Sequence, residues 1–331
     1  MNAEKTASQS ELLFNRLSKR YRHLKKWARR TGTNAFRLYD RDIPEIPLVL
    51  DLYDDALSGA LYKRPALLPP AGICPDEPPG IWLAVMKAAA AKALEIPENR
   101  IFFRERQRIR HRQETGNQYN KINDKSFYRV IIEGDLKFRV NLSDYLDTGL
   151  FLDARKKRAL IRHEARGKRV LNLFAYTCSL SVAAAIGGAK QVDSVDLSNT
   201  YLEWGKVNFA LNALPLSDKF SIIRSDVIQF VNQDKARKSR WDIIILDPPS
   251  FSNSKKMQET LDIRRDYREL LGKSLSLLSP AGTLYFSTNA KGFHFQNEDF
   301  PGFIIKDLRP SLVDEDFRGK RIPACYQIKY R

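Results

Sequence analysis

The chain is poor in the residues that build covalent or metal-bound frameworks. Its 331 residues include 3 cysteines and 4 histidines. Cys74, Cys178 and Cys325 stand far apart and show no metal-ligand spacing. That argues against a disulfide scaffold, a zinc site or any other resident metal, and it suits a reducing, cytoplasmic setting. No apolar run approaches the roughly 20 residues needed to cross a bilayer, so no membrane partner is expected. Met1 to Glu11 is polar and lacks the apolar core of a signal peptide. Acids are also scarce, 39 against 56 Lys and Arg, for a formal net charge of +17. A chain this basic usually meets a polyanion, nucleic acid first. A glycine-rich dinucleotide fingerprint, G-x-G-x-x-G, is missing as well, which leaves a pyrophosphate little room and makes a dehydrogenase a distant reading.

What is present is organised around Val170 to Ala189. An apolar run opens it, Thr177-Cys178-Ser179 breaks it, and small residues suited to a tightly packed helix follow. This reads as strand, turn and helix, the first unit of an open α/β sheet. Ligands of such sheets bind outside the carboxyl ends of the strands. Acids stand at the ends of the next apolar runs: Asp196 at the end of Gln191 to Leu197, Asp226 after Phe220 to Arg224, and Asp247 after Asp242 to Leu246. Asp196 is spaced to hold ribose hydroxyls, though it could also serve the helix start at Ser198. Asp226 can accept from an exocyclic amino group of adenine or cap the helix beginning at Val227. A nucleoside cofactor without phosphates fits this outline, and S-adenosylmethionine is the obvious one.

Strands are expected at Val170–Tyr176, Val192–Leu197, Phe220–Ser225, Asp242–Leu246, Gly282–Thr288 and Tyr326–Tyr330. Helices are expected at Ser179–Ile186, Thr200–Ala213, Val227–Lys235 and Gln258–Leu278. Their alternation predicts a Rossmann-like, mostly parallel sheet with helices on both faces over residues 170–331. Ahead of it, residues 1–10 read as disordered and Glu11 to Arg30 as a basic amphipathic helix, with Leu13, Leu17, Tyr21, Leu24 and Ala28 on one face. Residues 1–34 are thus a disordered start and basic helix. Residues 35–141 read as a small α+β domain, with a turn at Ser58-Gly59, a returning strand from Ala60 and a hairpin through Glu133-Gly134-Asp135. Residues 142–169 read as a linker and a second basic helix. Arg20, Lys25, Lys26 and Arg29 on the first helix are candidate phosphate contacts. So are Arg104, Arg106, Arg108 and Arg110, whose alternation puts them on one face of a strand; the rival reading is an edge strand protected by charge.

The most informative short motif is Asp247-Pro248-Pro249-Ser250-Phe251. It ends a buried strand and must turn sharply, since proline fixes the backbone and lacks an amide donor. Asp247, Pro248, Pro249 and Phe251 would then face a planar substrate, the ring stacking and the carboxylate gripping an edge. Together with Asn-Leu-Phe-Ala-Tyr-Thr at 172–177, Ser-Val-Asp-Leu-Ser at 194–198, Thr-Tyr-Leu-Glu-Trp at 200–204 and Asp-Tyr-Leu-Asp-Thr-Gly-Leu-Phe-Leu-Asp at 144–153, this motif resembles the class I methyltransferases of large-subunit ribosomal RNA. The resemblance is strongest to the RlmK type, which methylates guanine N7 in 23S rRNA and is related to the RlmI family, and it spans nearly the whole chain.

The resemblance implies roles for matching positions. Thr148, Phe151, Asp153 and Arg155 should lie against the methionine end of the cofactor. Asn172, Phe174, Tyr176, Thr177, Cys178 and Ser179 should line it. Asp196 with Leu197 should hold the ribose, Asp226 with Val227 the adenine, and Asp247 should meet both cofactor and base. Where the family usually has glycine this chain has Cys178, which could narrow the pocket or force a different backbone angle. Relatives that methylate cytosine C5 carry a nucleophilic cysteine after the fifth strand. Here that place reads Phe286-Ser287-Thr288-Asn289. Guanine N7 has an in-plane lone pair and no proton, so direct in-line attack on the methyl, without a covalent enzyme intermediate, is the implied route. The implied partner is 23S rRNA or a large-subunit precursor. The better-known bacterial version is fused to a second methyltransferase with a THUMP domain, so a separate THUMP-bearing protein is a further expected partner. The alternatives are a methyltransferase acting on another base, cytosine C5 included, and a non-catalytic RNA-binding or ribosome-assembly protein.

Overall fold

The computed structural model describes residues 2–62, 79–106, 121, 123–233, 240–252 and 261–331. They divide into two compact units, Met1–Asp135 with Val140–Thr148, and Leu136–Arg139 with Gly149–Arg331. The units part at Thr148/Gly149, so the basic helix expected in a linker belongs to the second unit. No described helix is long and apolar enough to cross a membrane.

In the first unit a long helix, α1 (Asn2–Thr31), precedes three antiparallel strands, β1 (Ala35–Asp40), β2 (Leu48–Tyr53) and β3 (Ala56–Tyr62). A second helix, α2 (Pro79–Leu94), then leads to β4 (Ile101–Arg106), which pairs parallel to β3. The stretch expected to be disordered is helical. Thr6 and Gln9 extend the buried stripe of Leu13, Leu17 and Leu24 at helical spacing, and Gln9 Oε1 accepts from Trp82 Nε1 of α2 at 2.7 Å. Polar residues carry the stripe backwards, so a hydrophobic period alone starts the helix too late. The turn expected at Ser58-Gly59 falls instead at Asp54-Asp55, with Asp54 left-handed at φ 59, a conformation aspartate tolerates. Ser58 and Gly59 lie inside β3. β5 (Tyr128–Glu133) follows in this unit, while β6 (Leu136–Asn141) has its first four residues, Leu136–Arg139, in the second unit.

The second unit adds α3 (Arg155–Glu164), β7 (Arg169–Leu173), α4 (Ser179–Ile186), β8 (Gln191–Asp196), α5 (Asn199–Leu211), β9 (Phe220–Arg224), α6 (Val227–Asn232) and β10 (Trp241–Leu246). Then come the short pair β11 (Phe251–Ser252) and β12 (Leu261–Asp262), α7 (Ile263–Leu275), β13 (Leu278–Thr288), β14 (Phe303–Asp307) and β15 (Ala324–Tyr330). One sheet has the order β14-β15-β13-β10-β7-β8-β9, parallel from β13 through β9, with β15 and β14 antiparallel at one end. This is the Rossmann-like architecture expected from the alternation of elements. The edge strand β14 carried no sequence signal strong enough to be anticipated. Leu171, Leu173, Ile244, Leu246, Leu284 and Phe286 form the sheet's fully buried centre, each worth about 1.5–3 kcal/mol of burial. The chain runs from β7 outwards through β8 and β9, then returns to the other side of β7 as β10. That reversal opens a crevice at the carboxyl ends of β7 and β10, where a ligand of such a sheet binds.

Candidate active site

β7 ends at Leu173, earlier than expected, and Phe174 to Cys178 form a strained turn. Phe174, Tyr176 and Cys178 have φ of 59, 52 and 61°, each costing on the order of 1–3 kcal/mol in a non-glycine residue. Neighbouring elements hold this conformation. Asp196, at the tip of β8, accepts from Tyr176 N through Oδ2 and from Ser198 N through Oδ1, both at 2.8 Å. Thr177 Oγ1 donates to Gly149 O at 2.7 Å, and Thr177 O accepts from Asn208 Nδ2 at 2.8 Å. Gly149 is itself left-handed at φ +93, and a Cβ there would fall 2.3 Å from the Trp204 ring. Such strain concentrates at ligand sites.

Cys178 adopts the left-handed angle that glycine takes readily. Its side chain is fully buried and packs on α5, where a Cβ on Gly205 would lie 2.6 Å from Sγ. The thiol is thus accommodated by a glycine on the facing helix. Burial, with Asp196 nearby, pushes it up to about 12 against a smaller pull from Ser194.

Aromatic rings flank Asp196. Phe151, half-exposed, lies 5.3 Å from the Tyr176 ring, and Tyr176 lies 4.4 Å from Tyr201 between centroids. Burial holds the Asp196 carboxyl above the usual range, although the amides of Ser198, Tyr176 and Leu197 pull it down. Asn172 is buried in β7, its Nδ2 donating to Ser181 Oγ at 2.8 Å, and its Oδ1 has no partner among the described residues. A carboxylate for vicinal hydroxyls, an orphaned amide oxygen and aromatic walls suit an uncharged nucleoside moiety. They fit S-adenosylmethionine better than a pyrophosphate.

Asp226 caps α6, its Oδ1 accepting from Ile228 N at 2.7 Å and Gln229 N at 3.2 Å, while Val227 packs into the core. Both helix amides fall on the one oxygen. Ser179 opens α4 half-buried, and Leu197 is likewise half-buried. Asp153 sits in the short 3-10 turn Leu152–Ala154 that leads into α3. The Arg155 guanidinium bridges Asp314 at 2.9 Å and Asp316 at 3.0 Å, so its charge is engaged by the chain's own carboxylates. Thr148 falls in the first unit, sharing a 2.9 Å hydrogen bond with the Tyr53 hydroxyl.

Asp247 follows β10. Lys157 Nζ on α3 donates to its Oδ2 at 2.6 Å, Ser287 Oγ on β13 donates to its Oδ1 at 2.7 Å, and Lys157 Nζ also donates to Ser287 Oγ at 2.8 Å. The Lys157 side chain is 7% exposed and that of Asp247 33%. Burial pulls the ammonium down, but Asp247, with Cys325 and Asp153, more than offsets this and holds it above the usual lysine range. Sequence reading missed Lys157 and Ser287. Lys157 stands four residues before the buried Ile161, so helical spacing marks it as inward-facing within a run of basic residues. Pro248 is buried and Pro249 half-buried. The Phe251 side chain lies outside the described set.

The expected RNA contacts divide. Lys25, Lys26 and Arg29 are exposed on α1, Lys25 lying over the Tyr21 ring. Arg20 is half-buried, its Nε donating to Leu38 O at 3.4 Å. Arg104 departs from the expected exposed track: it is buried and donates to Ser58 Oγ at 3.1 Å. The Arg106 side chain, Arg108 and Arg110 lie outside the described residues. No cluster of three or more His, Cys, Asp or Glu able to hold a metal occurs among the described residues.

A reversed parallel sheet with a carboxylate at the second strand and an acid-proline-proline turn at the fourth defines an S-adenosylmethionine-dependent methyltransferase of class I. A family model described as S-adenosylmethionine-dependent methyltransferase matches residues 104–300. The chain belongs to that family, in the branch of the ribosomal RNA large subunit methyltransferases K and K/L. It is 43% identical to methyltransferase K of Neisseria meningitidis, over 96% of this chain and 86% of that protein. It is 41% identical to methyltransferase K/L of Methylococcus capsulatus, over 97% of this chain but 43% of that longer protein. Among solved structures, a methyltransferase-like chain crystallised with SAH superposes with a TM-score of 0.73 at 24% identity, over 97% of this chain and 81% of its own. A SAM-dependent methyltransferase from Agrobacterium tumefaciens gives a TM-score of 0.57 at 21% identity, over 86% of this chain and 87% of its own. These last likenesses speak for the fold.

Proposed function

We propose that the chain methylates a guanine at N7 in 23S rRNA or a large-subunit precursor. The named relatives modify large-subunit ribosomal RNA, and the base rests on the chemistry of the site. The observation that carries it is the acceptor at the β10 tip, Asp247 fixed by Lys157 and Ser287, in a site whose described cysteines are unsuited to attack. Cys178 is buried and held up to about 12. Cys325 is buried and pushed to about 11, burial outweighing the pull of Lys157. A C5 methyltransferase needs a thiolate, whereas N7 offers its own lone pair.

In this reading the cofactor supplies an electrophilic methyl on a sulfonium. Asp196 holds its ribose hydroxyls with the two carboxylate oxygens that also fix the turn. Asn172 and the turn from Phe174 to Ser179 line it, and Asp226 takes the adenine amino group beside Val227. Phe151 and Asp153 close the methionine end. Asp247 accepts from the donor edge of guanine, while Pro248 and Pro249 shape the wall against which the base rests and exclude water. Lys25, Lys26 and Arg29 meet phosphates. A THUMP-bearing protein as a working partner belongs to the same proposal.

The test is a 23S rRNA transcript made with 7-deazaguanosine in place of guanosine. It presents C–H where N7 stands. The expected result is methyl transfer to the ordinary transcript and none to the substituted one. Equal transfer to both would overturn the N7 reading.

A further inference from the structure

We infer that Lys157 and Ser287 are positioning residues that fix Asp247 as a pure hydrogen-bond acceptor and so set which base edge the site takes. The three side chains come from α3, β10 and β13, elements remote in sequence, and close a ring of hydrogen bonds of 2.6, 2.7 and 2.8 Å. An ammonium has three donors and no acceptor, and a hydroxyl has one donor. Lys157 donates to both other members, and Ser287 passes its one hydrogen to Asp247. Each carboxylate oxygen therefore receives a hydrogen from the protein, and the ring orients the group as an acceptor at both oxygens. The exposed third of Asp247 presents the remaining lone pairs.

An anionic carboxylate accepts from two adjacent donors, as on the N1–H and amino edge of guanine. A protonated one can donate as well, and would suit the mixed edge of adenine. The ring thus favours guanine by fixing both oxygens of Asp247 as acceptors. It also fixes the direction in which the carboxylate points, since charge-assisted bonds are short and directional. Lys157 is not itself exposed to substrate; it acts through Asp247. This inference rests on the methyl-transfer reading above.

The experiment is a double-mutant cycle on the full chain, measuring total methyl transfer from labelled S-adenosylmethionine to a 23S rRNA transcript, with nucleoside analysis of the product. Lys157→Met is expected to lower kcat by about 10²-fold, the scale of a misplaced catalytic group, with cofactor Kd changed less than about twofold. Ser287→Ala, which keeps the ion pair, is expected to cost about tenfold, on the scale of one hydrogen bond. In an Asp247→Asn background neither change should cost more than a further factor of about two. Full multiplication of the effects in that background would make Lys157 and Ser287 merely structural and overturn the inference. Label in 7-methylguanosine with multiplied effects would sink this inference alone. Label in another base with the non-additive pattern would sink the N7 reading, and with it the edge selected, while leaving the two residues as positioning groups for Asp247.

Discussion

The strand-end cluster of the second unit and the basic face of α1 are both rich in charge, but they use it differently. At the strand ends each charge has fixed partners: Asp196 its two amides, Asp247 its lysine and serine, Arg155 its two aspartates. On α1, Lys26 and Arg29 stand exposed, and even the paired charges of this unit, such as Arg16 with Asp42 and Arg37 with Asp51, lie partly in solvent. Fixed, buried charge supports geometry; exposed charge supports affinity that salt can screen. The lesson is that net charge points to a polyanion, whereas the chemistry is in the few charges that are neutralised.

The largest effect should come from the fixed region. Asp196→Asn weakens the acceptor for the ribose and for the Tyr176 amide, and is expected to raise cofactor Kd by about 10²-fold, in line with roughly 1.5–3 kcal/mol for hydrogen bonds to a charged group. Calorimetric titration with S-adenosylmethionine checks it; an unchanged Kd would separate Asp196 from the site. Gly205→Ala is next. Its methyl meets Cys178 Sγ at 2.6 Å, and overpacking of this kind costs about 1–3 kcal/mol. The same substitution in a Cys178→Gly background should cost less than about half as much, because the obstacle is gone. Denaturant unfolding of the four variants decides it, and equal penalties in both backgrounds would break the compensation argument.

Acid pH offers a milder test. The Asp196 carboxyl is raised in the folded chain, chiefly by burial. Its contribution to stability is therefore fully present below the unfolded carboxylate pKa and lost as pH rises through the raised folded value. Ligand binding has the opposite sign, since ribose hydroxyls need the ionised form. Cofactor affinity should fall on acidification, beginning above the ordinary aspartate range, while the Asp196→Asn variant shows no such limb. Smallest per residue are the charges on α1. Reversing Lys25, Lys26 or Arg29 singly should weaken RNA binding a few-fold and lower the slope of log affinity against log salt by roughly 0.7–0.9 for each true phosphate contact. Reversal without any change in salt slope would remove that residue from the footprint.

Much of this was legible from residue patterns. The parallel strands announce themselves as short apolar runs, and the acids mark their carboxyl ends. Ser179–Ile186 was bounded correctly because the turn before it and the glycines after it punctuate a small-residue run. What period-based reading could not reach depends on contacts remote in the chain. Gln9 joins the buried stripe of α1 by accepting from Trp82 of α2, a contact remote in the chain. Cys178 keeps a glycine-like angle only because Gly205 faces it. Lys157 and Ser287 stand 130 residues apart and meet at Asp247 only once α3 is laid beside the sheet. Arg104 looked like part of an exposed track because alternation fixes a face without saying which face is inside.

The most direct measurement is methyl transfer from labelled S-adenosylmethionine to unmodified 23S rRNA, followed by nucleoside analysis. The account predicts label in 7-methylguanosine. Label in 5-methylcytidine would contradict it, because that product requires a thiolate nucleophile which neither Cys178 nor Cys325 is placed to provide.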